Sequence, residues 1–135
     1  MENDLRWVLL RRELTLHYQP QVDIASGAII GIESLLRWDH PELGRIPPDR
    51  FIPLAEESGL ILPIGNWVLW ETCRQAKAWQ DDGHRPGLVG VNISAIQLQD
   101  SGFVAAVREI LESTRLDPQW LELEITESAI MENPE

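Results

Sequence analysis

Apolar residues recur along most of this chain at the spacings typical of strands and helices, and the first of these elements predict a hairpin. Residues 5–12 have helical spacing, whereas residues 14–20 alternate in polarity and are rich in strand-forming side chains. Ser26 and Gly27 are typical of a turn, and residues 28–38 predict a second strand. The short connection between the two strands favours an antiparallel pair.

Helices and strands alternate through the rest of the chain. After a loop, the spacing predicts helices over about 48–59 and 63–81, a buried strand over 88–93, a helix over about 102–114 and a strand over 120–126. This alternation favours a parallel α/β sheet or barrel. Four strands are fewer than the eight of a closed barrel, which typically has about 250 residues.

The charge balance and the cysteine count narrow the classes of function. The 135 residues suit one domain, and a net charge of −11 repels anionic polymers and surfaces, so we expect no DNA or RNA polymer and no membrane contact by this segment. No apolar run approaches the roughly 18 residues of a membrane span, and the acidic N-terminus lacks a signal-peptide core. The single cysteine, Cys73, lies on an apolar helical stripe, as expected for a core residue of a cytoplasmic protein.

Polar side chains interrupt three of the predicted strands, each in the latter part of its strand. They are Glu33, Asn92 and Glu124. The carboxyl ends of parallel strands surround the active site in α/β folds, so these side chains are expected to meet. Two carboxylates and one amide oxygen are ligands that Mg²⁺ or Mn²⁺ prefers. Such a metal polarises a phosphoryl group and lowers the pKa of a bound water.

Each of these residues also has a structural interpretation. Glu33 shares a strand face with Arg37 and would form an ion pair with it. Asn92 would cap the helix that follows its strand, and Glu124 would lie on a solvated face. Spacing alone favours these structural roles, because acids at strand ends are common without a metal. Their occurrence on three separate strands moves the balance only modestly toward a metal site.

Five segments resemble, in the same order, segments of the EAL domain family. They are residues 16–20 (LHYQP), 31–38 (GIESLLRW), 51–61 (FIPLAEESGLI), 91–94 (VNIS) and 121–128 (LELEITES). The second resembles the family signature, with Ser34 in place of the alanine of the name-giving motif. The resemblance begins near residue 5 and extends to the end of the chain, and the five segments together are highly specific.

The resemblance implies both a fold and an activity. The implied fold class is α/β, an incomplete TIM-type (β/α) barrel in which an opening antiparallel hairpin is followed by alternating helices and parallel strands. Residues 1–13 resemble a linker helix of the kind that follows an upstream GGDEF domain, and residues 14–135 resemble the N-terminal half of an EAL domain. Family members hydrolyse cyclic di-GMP to linear pGpG with Mg²⁺ or Mn²⁺, so the resemblance implies a cyclic di-GMP phosphodiesterase.

The resemblance also implies roles for individual side chains. Glu33, Asn92 and Glu124 match metal ligands, Arg37 matches a phosphate-contacting arginine, Gln19 and Leu35 match substrate-pocket positions, and Glu127 matches a glutamate that steadies an active-site loop. Glu33 and Glu127 are thus the expected catalytic residues. For Glu127, an exposed acid in the first turn of the next helix is nearly as good an interpretation. Ser34 points away from Glu33 by its strand parity, so we expect metal binding to survive this departure from the signature.

Several groups that the family uses fall beyond residue 135, namely an Asp-Asp pair, a lysine, a further glutamate and a glutamine. The isolated chain is therefore expected to bind metal weakly and to hydrolyse little or nothing. Two alternatives to an enzyme are a non-catalytic cyclic di-GMP-binding module and a self-associating signalling module. The latter predicts a homo-oligomer that forms through exposed sheet edges. The presence of Glu33, Asn92 and Glu124 favours an active enzyme over a degenerate sensor.

Overall fold

A mixed five-stranded sheet with helices on its apolar face forms the framework of this protein. The structure, a computed structural model, describes residues 2–85 and 87–125. In chain order its elements are α1 (Glu2–Leu5), β1 (Leu14–Val22), β2 (Ile29–His40), β3 (Gly44–Ile46), α2 (Pro48–Ser58), α3 (Ile61–Asp81), β4 (Leu88–Ile93), α4 (Ala95–Gln99), α5 (Phe103–Thr114), a 3₁₀ helix (Pro118–Trp120) and β5 (Leu121–Ile125). None of the helices in these ranges is long and apolar enough to cross a membrane.

The predicted antiparallel hairpin of β1 and β2 is confirmed. The two strands are paired from Leu14 opposite Trp38 to Gln21 opposite Gly31. Gly27 lies in the connecting turn with a φ of 72°, a left-handed conformation that glycine adopts without steric strain. The hairpin therefore forms one side of the sheet and places β2 next to the parallel strands.

Parallel pairing links β2, β4 and β5 in the remainder of the sheet. The strand order is β1-β2-β4-β5, and β3 pairs antiparallel with the last residues of β2. Helices α2 and α3 lie in the chain between β2 and β4, and α5 lies between β4 and β5. The predicted fold class is confirmed, because an antiparallel hairpin is followed by alternating helices and parallel strands.

The hydrophobic core lies between the sheet and helices α2 and α3. Trp38 of β2 and Phe51 of α2 are fully buried, and their rings meet edge to face with centroids 5.6 Å apart. Val91 and Ile93 of β4 belong to the same cluster, as does Leu69 of α3. Alternate residues of β4 thus face the helices, which is why this short strand is mostly apolar in sequence.

The N-terminal segment is not the regular helix that its spacing predicts over residues 5–12. The helix α1 ends at Leu5, turns follow, and Arg12 has a φ of 56°. Leu5 and Val8 are both buried in the main core, and the backbone N–H of Glu13 donates to the carbonyl of Val8 at 3.0 Å. The apolar spacing therefore reflects burial of a compact turn segment against the core.

Two side-chain contacts fasten the N-terminal segment to β2. The indole Nε1 of Trp38 donates to Glu13 Oε1 at 3.0 Å, and His40 Nε2 lies 2.9 Å from Asp4 Oδ2. The other ring nitrogen of His40 accepts two backbone N–H groups of the following turn, each at 3.0 Å. The hydrogen on His40 is consequently at Nε2 and is donated to Asp4. Both ring nitrogens of His40 therefore make hydrogen bonds that hold the N-terminal segment and the following turn in place.

Two short elements, β3 and α4, lie outside the predicted ones. Strand β3 has three residues and lies in the segment predicted as a loop, where it is too short to show an alternating pattern. Helix α4 has five residues and begins with a capping box, in which Ser94 and Gln97 each accept the other's backbone N–H with their side chains. A serine followed three residues later by glutamine is a recognised signal for a helix start, so α4 was predictable.

Ser34, the departure from the family signature, is hydrogen-bonded within the core. Thr72 Oγ1 of α3 donates to Ser34 Oγ at 3.1 Å, and both residues are buried. Ser34 therefore faces α3 and points away from Glu33, as strand parity predicts. The neighbouring Cys73 is also buried, and burial raises the pKa of its thiol to about 11, as expected for a core cysteine rather than a nucleophile.

Replacing both partners of the Ser34–Thr72 hydrogen bond should cost less stability than the two single replacements added together. Ser34→Ala or Thr72→Val leaves the other buried hydroxyl without its partner, and each should lower the free energy of unfolding by about 1 kcal/mol. The double variant removes both hydroxyls and should lose less than the sum of the single losses. Urea unfolding measures these values, with Ser113→Ala, exposed on α5, as a neutral control. Strictly additive losses would contradict this prediction.

Candidate functional site

The face of the sheet opposite the core carries the polar residues that the sequence analysis selected. On β2, Ser34 and Trp38 contact the helices and the main core. Glu33, Leu35 and Arg37 have the opposite strand parity and lie on the other face. The alternation that buries the core therefore gathers the selected residues of β2 on one surface.

The parallel register brings Glu33, Asn92 and Glu124 together on this face. Asn92 of β4 lies directly opposite Glu124 of β5, and Glu33 lies opposite Gly90, two residues before Asn92. Asn92 Nδ2 is 3.5 Å from Glu33 Oε1, at the outer limit of a hydrogen bond. The three predicted metal-ligand residues thus form one cluster, which we call the carboxylate cluster, toward the carboxyl ends of β4 and β5.

A glycine provides the space for the carboxylate cluster. Gly90 is buried and pairs with Glu33 on one side and Glu122 on the other. A Cβ atom at this position would overlap Glu124 Oε1, so the carboxylate of Glu124 lies where a side chain of residue 90 would be. An isolated glycine inside a strand often marks such a close approach.

Burial and the neighbouring Glu33 disfavour the ionised form of Glu124. Burial of Glu124, followed by its hydrogen bond with Glu33 and the charge of Glu33, raises the pKa of Glu124 from 4.5 to about 7. Glu122 contributes in the same direction. Near neutral pH the cluster therefore favours a bound proton or a bound cation.

The donor set of the carboxylate cluster fits a hard divalent cation. Glu33 and Glu124 supply carboxylate oxygens, and Asn92 supplies a side-chain amide. The amide nitrogen of Asn92 faces Glu33, and rotation about χ2 would bring the amide oxygen to that position instead. A cation at this place would compete with a proton for the Glu124 carboxylate. Across residues 2–85 and 87–125, no three His, Cys, Asp or Glu side chains are grouped to hold a metal, so the amide is a necessary part of this set.

The structural interpretations of Glu33 and Asn92 are not observed among the described residues. Within the described part of the chain, Arg37 makes no ion pair with Glu33 and instead donates Nη1 to a neighbouring backbone carbonyl at 3.0 Å. The N-cap of α4 is Ser94 rather than Asn92. Glu124 is half-buried, but it lies on the face of the sheet where Asn92 and Glu122 are exposed, as its structural interpretation expects. The geometry therefore favours the interpretation of these residues as a site.

A cavity of about 490 Å³ adjoins the carboxylate cluster where β2 and β4 separate. Leu35 and Arg37 of β2 and Asn92 of β4 line it, together with residues of α2, α3 and α4. Gln19, the third predicted substrate-pocket residue, lies opposite Glu33 on the exposed strand β1 and does not line this cavity. Two of the three residues therefore share one cavity, and Gln19 flanks Glu33 from the other side.

Sequence reasoning missed three residues that shape the site, namely Gly90, Gln97 and Gly65. Gly90 is an isolated glycine in a strand, and Gln97 completes a recognisable capping box, so both carried a local signal. Gly65 carried none, because its role is a contact with Gln97, which is distant in the chain. Glu127, in contrast, was predicted but lies outside the residues that the structure describes, so its role stays a prediction.

Comparison with known proteins gives a family match over nearly the whole chain. The model of the EAL domain family matches residues 2–135. The chain is 51% identical over 129 residues to the bifunctional diguanylate cyclase/cyclic di-GMP phosphodiesterase MucR of Pseudomonas aeruginosa, covering 96% of this chain and 19% of MucR. It is 41% identical over 135 residues to the cyclic di-GMP phosphodiesterase PdeR of Escherichia coli K12, covering 100% of this chain and 20% of PdeR. The chain thus spans about a fifth of these relatives.

Solved structures with similar folds are described by the same family name or activity. A structure of the MucR phosphodiesterase in complex with c-di-GMP superposes with a TM-score of 0.93 at 50% identity, covering 98% of this chain and 53% of that one. The EAL enzyme Bd1971, bound to cAMP and cyclic di-GMP, gives a TM-score of 0.89 at 31% identity, covering 98% of this chain and 37% of that one. The fold described above therefore corresponds to about half of the solved MucR phosphodiesterase chain.

The raised pKa of Glu124 predicts how the stability of the chain changes with pH. The pKa of about 7 in the folded chain exceeds the ordinary 4.5, so the folded state holds more protons than the unfolded state between these values. The resulting stabilisation is fully present below pH 4.5 and is lost as the pH rises through about 7. Glu124→Gln cannot titrate and should lack this loss.

Urea unfolding in the presence of EDTA, at about pH 5 and about pH 8, tests this expectation. Between the two conditions, the free energy of unfolding should fall further for the wild type than for Glu124→Gln. Glu112→Gln, which changes an exposed acid on α5, should behave as the wild type. An identical change in all three proteins would refute the assignment of the raised pKa to Glu124.

Proposed function

This chain belongs to the EAL domain family, and on that premise we propose that it is the N-terminal part of a metal-dependent cyclic di-GMP phosphodiesterase. The observation that carries the proposal is the meeting of Glu33, Asn92 and Glu124 on one face of the sheet. Relatives named cyclic di-GMP phosphodiesterases, at up to 51% identity, support it. The proposed reaction adds water to one phosphodiester of the cyclic dinucleotide and breaks one P–O bond, which yields linear pGpG.

We assign Glu33, Asn92 and Glu124 as ligands of a Mg²⁺ or Mn²⁺ ion. The oxygen donors and the mutual repulsion of the two carboxylates support this assignment. When bound, such a metal polarises a phosphoryl oxygen and lowers the pKa of a coordinated water. Gly90 leaves the space in which the Glu124 carboxylate reaches the cluster.

We further assign Arg37, Leu35 and Gln19 to substrate binding. The guanidinium of Arg37 lines the cavity beside the cluster and has no acidic partner among residues 2–85 and 87–125, which suits a bidentate contact with a phosphate. Leu35 contributes an apolar wall to the same cavity. Gln19 is paired with Glu33 on the neighbouring strand β1 and would contact the substrate from the β1 side of Glu33. The role of Glu127 in steadying an active-site loop rests on the family resemblance alone.

The carboxylate cluster supplies three ligands, which is about half of the coordination sphere of Mg²⁺. The chain covers 53% of the solved MucR phosphodiesterase chain, and we propose that the rest of such a domain supplies further ligands and a group that activates water. The isolated chain should therefore bind metal weakly and turn over little or no cyclic di-GMP.

We propose that residues 1–13 form a linker segment and that residues 14–135 form the N-terminal half of an EAL domain. The contacts of Glu13 with Trp38 and of Asp4 with His40 support a linker that is held against the domain. A GGDEF domain upstream is supported by the name of MucR, which includes diguanylate cyclase. A cytoplasmic location suits the single, unpaired cysteine.

We also propose that the isolated chain self-associates through the edges of its sheet. Among the described residues, β1 pairs only with β2 and β5 pairs only with β4, so each has an edge that another strand can pair with. Large apolar side chains near the strand ends are exposed, among them Val22 at the end of β1 and Ile125 at the end of β5. Both features favour a homo-oligomer.

The proposed site predicts weak, site-specific binding of Mn²⁺ without turnover. Electron paramagnetic resonance of free Mn²⁺ should show binding by the isolated chain, weakened about tenfold or more by Glu33→Gln or Asn92→Ala, because each removes a ligand. Calorimetric titration with cyclic di-GMP in Ca²⁺ should show weaker binding for Arg37→Ala than for the wild type. A hydrolysis assay in Mg²⁺ should detect little or no pGpG.

Glu112→Gln, which changes an exposed acid of α5 outside the carboxylate cluster, is the matched control and should bind Mn²⁺ as the wild type does. Mn²⁺ affinity that is unchanged in Glu33→Gln and Asn92→Ala would refute the assigned ligands. Efficient hydrolysis by the isolated chain would refute the proposal that further groups are required.

Self-association predicts a light-scattering mass of a dimer or larger for the isolated chain. The double variant Val22→Lys/Ile125→Lys places charges at both sheet edges and should lower that mass. Leu10→Lys changes an apolar residue that is 77% exposed and lies outside the strands, and it should leave the mass unchanged. A wild-type chain that is monomeric and melts cooperatively would contradict the proposal.

A further inference from the structure

Helix α4 is fixed to helix α3 through a close contact between Gln97 and Gly65. Gln97 is only 4% exposed, and its amide group lies where a side chain of Gly65 would be. A Cβ atom at residue 65 would overlap this amide. Gly65 is itself buried in the first turns of α3, a helix of 21 residues that packs along the sheet. Gln97 therefore rests on one of the most extensively packed elements of the structure.

The same glutamine holds the backbone at the end of β4. Gln97 Oε1 accepts the backbone N–H of Ser94 at 3.0 Å, and Ser94 Oγ accepts the backbone N–H of Gln97 at 3.4 Å. Ser94 follows Asn92 by two residues, and the intervening Ile93 is 1% exposed within the core. A single side chain thus connects α3 to the main chain directly after Asn92.

The side-chain contacts of Asn92 do little to fix the position of its amide. The residue is exposed, and its side-chain hydrogen bond to Glu33 is 3.5 Å long, which makes it a weak constraint. The place of its amide is therefore set mainly by the backbone of β4. The carboxyl end of that backbone is held by its pairing with β5 and, directly after Ile93, by the capping box. Gln97, Gly65 and Asn92 also line the same cavity.

From this geometry we infer that Gln97, packed on Gly65, is a positioning residue that sets the place of Asn92 in the carboxylate cluster. Metal-binding residues typically depend on such supporting contacts, whose loss weakens metal affinity by about 10-fold to 100-fold. The inference rests on the proposed function, because it takes Asn92 as a metal ligand. Gln97 itself contacts the backbone and α3, so its effect on the metal acts through Asn92.

Mn²⁺ affinity and the NMR signals of the Asn92 side-chain amide, measured on the wild-type chain and Gln97→Ala, test this inference. Gln97→Ala removes the acceptor for Ser94 N–H, so it should weaken Mn²⁺ binding by about tenfold or more and shift the Asn92 amide signals. Gln97→Glu keeps an acceptor of the capping box and should restore most of the affinity. Gly65→Ala should have the effect of Gln97→Ala, because the added methyl displaces the amide.

Two controls separate positioning from a general loss of stability. Gln99→Ala removes an exposed glutamine of the same helix and should leave both readouts unchanged. Cys73→Ala destabilises α3 at a buried site outside the Gln97 contact and should lower the melting temperature without changing Mn²⁺ affinity. A Gln97→Ala protein that is less stable but binds Mn²⁺ within twofold of the wild type would overturn the inference.

The NMR readout keeps the inference testable if the proposed function fails. A wild-type chain that binds no Mn²⁺ would count against the metal site. In that case, shifted Asn92 amide signals and faster exchange of the Ser94 N–H in Gln97→Ala would still support positioning. Unchanged signals and exchange would overturn it.

Discussion

The register of the three parallel strands determines which polar side chains meet. Strand β4 lies between β2 and β5, with Gly90 opposite Glu33 and Asn92 opposite Glu124. A slip of one residue would turn each of these side chains toward the helices, because successive residues of a strand face opposite sides. The buried Val91 of β4 opposes such a slip, so the apolar packing that folds the chain also assembles the carboxylate cluster.

The cluster lowers the stability of the chain that forms it. Glu33 and Glu124 approach each other closely. The buried position between them is a glycine, Gly90, because a larger residue there would overlap the Glu124 carboxylate. Neither feature benefits folding, since like charges repel and glycine weakens a strand interior. The apolar contacts on the other face of the same strands offset these costs. Binding a cation would remove the repulsion, so folding and metal binding should support each other.

The sequence revealed the strands and long helices because their apolar periodicity is set locally. It also selected Glu33, Asn92 and Glu124 as candidates, because charged or amide groups inside apolar strands require a compensating partner. Spacing alone favoured structural roles for them, and their assignment as metal ligands came from the family resemblance. It could not reveal the register that places them together, since register depends on which strands pair. Some residues contribute by leaving room for a neighbouring side chain, as Gly65 does for the amide of Gln97. Such a role is visible only once distant parts of the chain are in contact.

Strand β2 carries both the attachment of the N-terminal segment and a member of the carboxylate cluster. Trp38 and His40, near its carboxyl end, hold Glu13 and Asp4, and Glu33 lies in the same continuous strand of 12 residues. Extended backbone hydrogen-bonded on both sides resists bending within the sheet. A force applied to the N-terminal segment would thus reach Glu33 along β2, and because Ser34 and Trp38 of the same strand contact α3 and α2, the helical layer would feel it as well.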